Sequence, residues 1–226
     1  LQKSLDAIIE TLEYFGARVD ERAALPADQR PDDLITLLVE TEIDGEPLDR
    51  RHLLGTCFLL LLAGIDTTWS AIGSSLWHLA THPEDQARLR AEPDLIDSAV
   101  EELLRVYSPV TMAREVIADV DVAGCPMKPG DKVLMSFPAA NRAPAQFENP
   151  DAFTIDRERN RHVAFGSGIH RCLGSNLARM ELRVAIQEWL TRIPTFELAD
   201  PAAVTWTGGQ VRGPRTIPVR WSATQP

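Results

Sequence analysis

The stretch HVAFGSGIHRCLGSN, His162 to Asn176, sets one cysteine among three glycines, with a histidine two residues before it and a helical pattern just after it. A buried structural cysteine needs none of this. A sulfur that ligates a metal has a use for all of it. A cysteine thiol has an ordinary pKa of about 8.5, so the thiolate is a minor form at neutral pH unless its surroundings favour it. Cys172 stands just before a predicted helix N-terminus, where free N–H groups and the helix dipole favour negative charge. Gly166 and Gly168 permit backbone angles that other residues avoid. Gly174, in the first helical turn, lets a flat object lie close to the backbone. His170 can reach a carboxylate, and Phe165 can pack beside the sulfur and exclude water. The residues alone also fit an inert cysteine in a glycine-rich loop.

The chain around this loop has 226 residues, enough for one large domain or two small ones. Its 44% apolar and 25% charged residues are ordinary for a globular protein. A net charge of −10 argues against nucleic acid as a main partner, since phosphate binding wants an excess of Lys and Arg. The other two cysteines, Cys57 and Cys125, are distant and form no C-x-x-C pair, which excludes a disulfide framework and fits a reducing, cytoplasmic setting. No signal-peptide pattern opens the chain; it begins at Leu1 without methionine, as an internal fragment would. The apolar run Leu53–Ile65 is 13 residues long, too short to span a bilayer, which takes about 20.

Apolar periodicity predicts helices over 1–20, 32–41, 49–82, 83–93, 95–108 and 173–192. A β-rich region covers 109–135, a loop follows over 139–161, and the tail 195–226 reads as a last hairpin. Helices first and a small β region second predict a mostly α, α+β chain. The first half of the long helix is apolar on most sides, so it is expected at the centre of the protein.

Two further patterns stand out. AGIDTT, Ala63–Thr68, puts an acid and two hydroxyls into the apolar helix. A charge there is costly unless paired or functional; with Gly64 and a mid-helix threonine it predicts a local opening onto a cavity. The same stretch also fits a polar patch meeting solvent or another helix. EELLR puts Glu102 and Arg105 on one helix face, a spacing that by itself describes a surface ion pair. Nine residues after Arg105 stands Arg114, in a strand whose Val110, Thr111 and Met112 precede it.

The spacing F-G-x-G-x-H-x-C-x-G is met in full by Phe165, Gly166, Gly168, His170, Cys172 and Gly174. It resembles the haem-ligand loop of cytochrome P450 enzymes in its bacterial form. AGIDTT resembles the same family's oxygen-binding stretch and EELLR its E-x-x-R helix, and the three occur in the family's order and spacing. The resemblance implies the P450 fold, with a long central helix and a small β region. Residues 1–226 would then be the C-terminal portion of a single haem domain, its N-terminal portion absent and the apolar faces of the central helix left uncovered.

The resemblance further implies haem b (iron protoporphyrin IX) with Cys172 as axial iron ligand, whose thiolate favours O–O cleavage. Arg114 and His170 would bind the propionates. Phe165, Gly166, Gly174, Ala63 and Gly64 would contact the macrocycle. Asp66 and Thr67 would relay protons, Glu102 and Arg105 would be structural, and Leu62, Val110, Thr111 and Met112 would face substrate. The family usually has an arginine in a PDRF-like segment joining the E-x-x-R pair; here the matching PDAF has Ala152 there, and Arg157 or Arg142 is expected to substitute.

The implied activity is a monooxygenase that inserts one atom of O2 into a small apolar organic substrate. Its electrons would come from NAD(P)H through a ferredoxin and reductase or a fused reductase domain. AGIDTTWSAIGSS and GIHRCLGSNLARMELRVAI are similar to reductase-fused members. The basic residues Arg157, Arg159, Arg161 and Arg171 would offer an acidic redox protein a docking patch. No membrane span and no nucleic-acid partner are expected. A peroxide-driven peroxygenase and a non-catalytic haem sensor are the alternatives; the Asp66–Thr67 pair argues against both, since neither needs a proton relay.

Overall fold

A computed structural model describes residues 2–222. The chain forms two compact units, residues 1–65 and 66–226. Its longest helix, α3, is numbered after two earlier helices: α1 (Gln2–Ala24), α2 (Leu34–Val39) and α3 (Arg50–Thr81). The boundary between the units falls inside α3.

The first unit holds α1, α2, a two-residue hairpin and the start of α3. Asp33 caps α2 by accepting a hydrogen bond from Thr36 N at 2.8 Å, and Arg22 holds Asp33 from α1 at 2.9 Å. The hairpin pairs β1 (Glu42–Ile43) with β2 (Glu46–Pro47) through Asp44 and Gly45, both at positive φ. Its small core is Val19, Leu53 and Cys57, with Phe15, Ile35 and Leu38 against them.

The second unit contains the main core. Its helices are the rest of α3, α4 (Pro83–Ala91), α5 (Ile96–Val106), α6 (Phe137–Ala140) and α7 (Ser175–Arg192). Pro83 at the first position of α4, with Glu84 and Asp85 in its first turn and Arg88 and Arg90 in its last, matches the helix dipole at both ends. Ile96, Ala99, Val100, Leu103 and Leu104 form the buried stripe of α5 and meet Leu182, Ile186 and Leu190 of α7. In α3, Ala71, Leu79 and Ala80 join the same core.

The β region is a set of two-stranded antiparallel ladders. β3 (Thr111–Glu115) pairs with β6 (Lys132–Ser136), placing Met112 opposite Met135 and Arg114 opposite Val133. β4 (Val120–Val122) and β5 (Cys125–Met127) form a hairpin whose turn residues, Ala123 and Gly124, both have positive φ. β7 (Phe196–Leu198) pairs with β10 (Val219–Trp221), and β8 (Thr205–Thr207) with β9 (Gly213–Thr216). The tail is therefore two ladders where the sequence suggested one hairpin; residues 223–226 lie outside the described residues.

Two sequence expectations for α3 differ from what is observed. The helix runs unbroken through Ala63–Thr68, without the predicted opening. One interior glycine costs about 1 kcal/mol, too little to break a helix carried by a run of leucines on one side and core packing on the other. Its first half is also buried on one side only: Leu53 and Cys57 are buried, while Leu59, Leu62 and Ile65 are 61%, 60% and 53% exposed. By length and composition α3 could cross a membrane; burial of Ser74, Ser75, His78 and Leu79 is the behaviour of a core helix in its second half.

Candidate functional site

The cysteine loop is held from beneath by backbone. Cys172 N donates to Phe165 O at 2.8 Å, Gly166 N to Val163 O at 2.9 Å and Arg171 N to Gly168 O at 3.1 Å. Gly166 and Gly168 have φ of +72° and +66°, a region that L side chains enter only with strain, so two of the glycines are required by the turn itself. Gly174 is the N-cap of α7, one residue before the helical turn in which the sequence placed it, and a Cβ there would sit 4.0 Å from Cys172 Sγ. The Phe165 ring packs toward the core, with Arg179 4.5 Å over its face.

The loop presents Cys172 outward. The cysteine is exposed, and its apolar neighbours Ile169 and Leu173 are 97% and 88% exposed. An exposed sulfur donor between exposed aliphatic side chains, above a helix N-cap, suits a large apolar group that carries a metal. His170 and Arg114 are exposed; Arg114 donates to the neighbouring Ala113 carbonyl at 2.9 Å and has no carboxylate partner among the described residues.

Behind the loop lies a charged cluster that sequence inspection missed. Arg179 Nε and Nη2 donate to Glu101 at 2.5 and 3.0 Å, and His162 Nε2 donates to Glu101 Oε2 at 3.0 Å. Ala164 N donates to His162 Nδ1, which leaves the ring proton on Nε2. Burial alone would raise the Glu101 carboxyl, but the hydrogen bonds from His162 and Arg179 outweigh it and bring it down from 4.5 to about 2. Arg179 is raised in turn, chiefly by Glu101 and to a smaller extent by nearby Cys172.

A depressed folded-state carboxyl stabilises the fold above its unfolded pKa and loses that contribution as pH falls through the folded value. The Glu101 contribution, on the order of 1–3 kcal/mol after solvent screening, is therefore present above pH 4.5 and lost toward pH 2. Urea unfolding should show Glu101→Gln less stable than the parent at pH 7, with the gap closing below pH 4.5. A gap independent of pH would contradict this.

Glu102 and Arg105 are both fully buried. Arg105 reaches Glu102 bidentately, Nε to Oε2 at 2.7 Å and Nη2 to Oε1 at 2.8 Å. Its remaining donors go to the carbonyls of Asn141 (2.9 Å), Pro150 (2.6 Å) and Ala152 (2.7 Å). All five guanidinium N–H groups are thus used. Glu102 also accepts from Thr154 N at 2.9 Å, Arg157 Nε at 3.0 Å and Asn160 Nδ2 at 3.1 Å. The arginine missing at Ala152 is supplied by Arg157, while Arg142 pairs with Asp151 at 2.9 Å. Only 10% of the Arg157 side chain is exposed, so it leaves the expected basic patch to Arg159, Arg161 and Arg171.

On β3, alternation puts Met112 and Arg114 on one face, opposite Met135 and Val133. Thr111 is tied to a loop of the tail: its N donates to Gln210 O and its Oγ1 to Gly209 O, both at 2.9 Å, and Val110 bridges to Val211. Asp66 is gripped by Arg215 of β9 at 2.5 and 3.2 Å, which holds its carboxyl below the usual range. Thr67 follows it on α3. Leu62, Ala63 and Gly64 lie on α3 in the first unit, where a Cβ on Gly64 would meet open space. Arg215, 149 residues from Asp66 in sequence, carried no local signal.

The cytochrome P450 family model matches residues 2–201. Among curated relatives, Cytochrome P450 105C1 of a Streptomyces species is 41% identical over 97% of this chain and 58% of its own length. Probable cytochrome P450 127A1 of Sinorhizobium fredii is 38% identical over 91% and 50%. Among solved structures, substrate-free CYP109E1 from Bacillus megaterium superposes with a TM-score of 0.90 at 33% identity, covering 97% of this chain and 56% of that one. The chain spans about half the length of the relatives it matches. With a family match over most of its residues, relatives at this identity and the same fold in solved members, the chain belongs to the cytochrome P450 family.

Proposed function

We propose that the protein of which this chain is part is a haem-thiolate monooxygenase. The observation that carries this reading is the outward presentation of Cys172 on a loop shaped by two left-handed glycines, between exposed Ile169 and Leu173. The donor set fits haem b: one sulfur for the iron, an apolar surround for the macrocycle, and Arg114 and His170 for the two propionates. Haem supplies the dioxygen chemistry when bound. Phe165, Gly166 and Gly174 would shape the sulfur side, Ala63 and Gly64 would contribute small residues for contact with the macrocycle, and Glu102 and Arg105 would hold the frame. Leu62, Val110, Thr111 and Met112 form part of an apolar substrate wall, in which methionine adapts to shape. Electrons come from NAD(P)H through a ferredoxin and reductase or a fused reductase domain, docking near Arg159, Arg161 and Arg171.

Proton delivery falls to Asp66 and Thr67. With Arg215 attached, Asp66 stays ionised and must be released, or reprotonated through water, before it can donate. Removing the partner lets the carboxyl return upward toward its usual range. In Arg215→Gln the alkaline limb of the pH profile for product formed per NAD(P)H consumed, along which the donating acid loses its proton, should move to higher pH. An unmoved limb takes Asp66 out of the relay.

The test of the overall reading is turnover by the full-length protein with NAD(P)H and a redox partner, compared with hydrogen peroxide alone. Partner-dependent product supports it. Product only with peroxide supports the peroxygenase reading, and no product with either supports the sensor.

A further inference from the structure

The second unit contains a cleft of about 280 Å3, and no residue from Phe165 to Gly174 lines it. Its lining includes apolar Val106, Pro138 and Trp206 and polar Ser74, Arg142 and Arg212, with Tyr107, Ser108 and Ser136 beside them. In a chain of net charge −10, two arginines and no aspartate or glutamate line this space. Arg142 is anchored, donating to Val106 O at 3.2 Å and to the exposed Asp151 at 2.9 Å. Arg212 lies over the Trp206 ring at 5.6 Å and has no carboxylate partner among the described residues. Ser74 is 1% exposed, and its Oγ has no hydrogen-bond partner among the described residues. Its neighbour Ser75 satisfies its own hydroxyl on Ala71 O at 2.8 Å. A buried hydroxyl left unpaired is destabilising, so a ligand that accepts from Ser74 removes a standing penalty.

We propose that this cleft binds a small organic carboxylate, its anionic head between Arg212, Arg142 and Ser74 and its apolar body against Trp206 and Val106. Guanidinium groups match carboxylate geometry through paired N–H donors. The volume lies at the lower end of ligand pockets, which run from about 300 Å3 upward, so the ligand is small. The aromatic and aliphatic lining favours an organic body over a bare inorganic anion. Trp206 and Arg212 flank the loop 208–211 that receives Thr111 through Gly209 O and Gln210 O, and Arg212 N donates to Pro109 O. A ligand seated here therefore orders that loop.

The probe is benzoate, titrated into the full-length holoprotein by calorimetry, with benzamide and inorganic phosphate as comparisons. Amide hydrogen exchange over residues 204–216 locates the binding. Benzoate should bind and slow exchange in that segment, and benzamide should do neither. Phosphate should bind more weakly by roughly tenfold or more, and Arg212→Gln and Ser74→Val should each weaken benzoate by a similar factor, about that of one charge-assisted hydrogen bond. Arg212 is exposed, so its substitution should leave the melting temperature unchanged. Benzoate that slows exchange only elsewhere, that binds Arg212→Gln equally well, or that is matched by benzamide overturns the proposal; phosphate binding as tightly as benzoate overturns the organic carboxylate. None of these readouts depends on haem or turnover, so they stand apart from the monooxygenase reading.

Discussion

Arg105→Leu in the full-length protein should lower unfolding stability by about 3–5 kcal/mol, the cost of leaving one member of a buried ion pair without the other. Glu102→Leu should fall in the same range. Each partner is buried completely, so neither charge can turn to water when its counterpart is removed. The double variant Glu102→Leu/Arg105→Leu is the more informative. Replacing both members of a buried pair by apolar groups is often neutral or stabilising, because two desolvation penalties vanish together. Here Arg105 also satisfies the carbonyls of Asn141, Pro150 and Ala152, and Glu102 satisfies Thr154 N. Those backbone groups stay buried and lose their partners, at about 1–3 kcal/mol for each one left unpaired. The double variant should therefore be no more stable than either single one. Arg157→Gln should cost less, since its side chain is partly exposed and its other contacts are peripheral. Denaturant unfolding of the four variants tests the ranking. A double variant as stable as the parent would show that the backbone carbonyls find other donors.

These residues also mark how far the sequence could be read. The i,i+3 spacing of Glu102 and Arg105 was visible, and by itself it describes a surface pair. Burial was not visible, because the groups that make it tolerable lie 36 to 58 residues away in an irregular segment with no period. The substitution of Arg157 for the arginine missing at Ala152 follows from the path of that loop, which no local pattern encodes. Helices were legible wherever one face repeats, as in α5 and α7, whose buried stripes meet in the core. The helix-breaking signal at AGIDTT misled for the opposite reason: it is local, and the surrounding helix overrides it. The cysteine loop was the most legible part, since positive φ at Gly166 and Gly168 is a backbone demand that only glycine meets freely. The Asp66–Arg215 contact was illegible, because a pairing between a helix and a strand far along the chain leaves no trace in either segment.

Cys172→Ser should abolish the thiolate signature in the reduced carbon-monoxide spectrum of the full-length protein while leaving its fold intact. The two halves of this expectation rest on different facts. Cys172 is exposed and contributes its backbone, not its side chain, to the loop: its N donates to Phe165 O, and serine keeps that bond. Surface substitutions of this kind change stability by about 0.5 kcal/mol or less, so the far-ultraviolet spectrum and the unfolding midpoint should match the parent. Chemically the change is large. A serine hydroxyl does not ionise near neutral pH, and oxygen is a far poorer donor than thiolate to a soft, electron-rich metal centre. Arg179 keeps its hydrogen bonds to Glu101 in this variant, so the charged cluster behind the loop is preserved. Loss of the thiolate band in a folded variant assigns the ligand to Cys172. An unchanged band would move it to another cysteine, and among the described residues those are Cys57, buried in the core of the first unit, and Cys125, in the β4–β5 hairpin. Cys57→Ser and Cys125→Ser should both retain the band. Neither sits before a helix N-terminus: Cys57 lies inside α3, and Cys125, though it follows Gly124, lies in strand β5, so the spectrum should follow the loop and not the cysteine count.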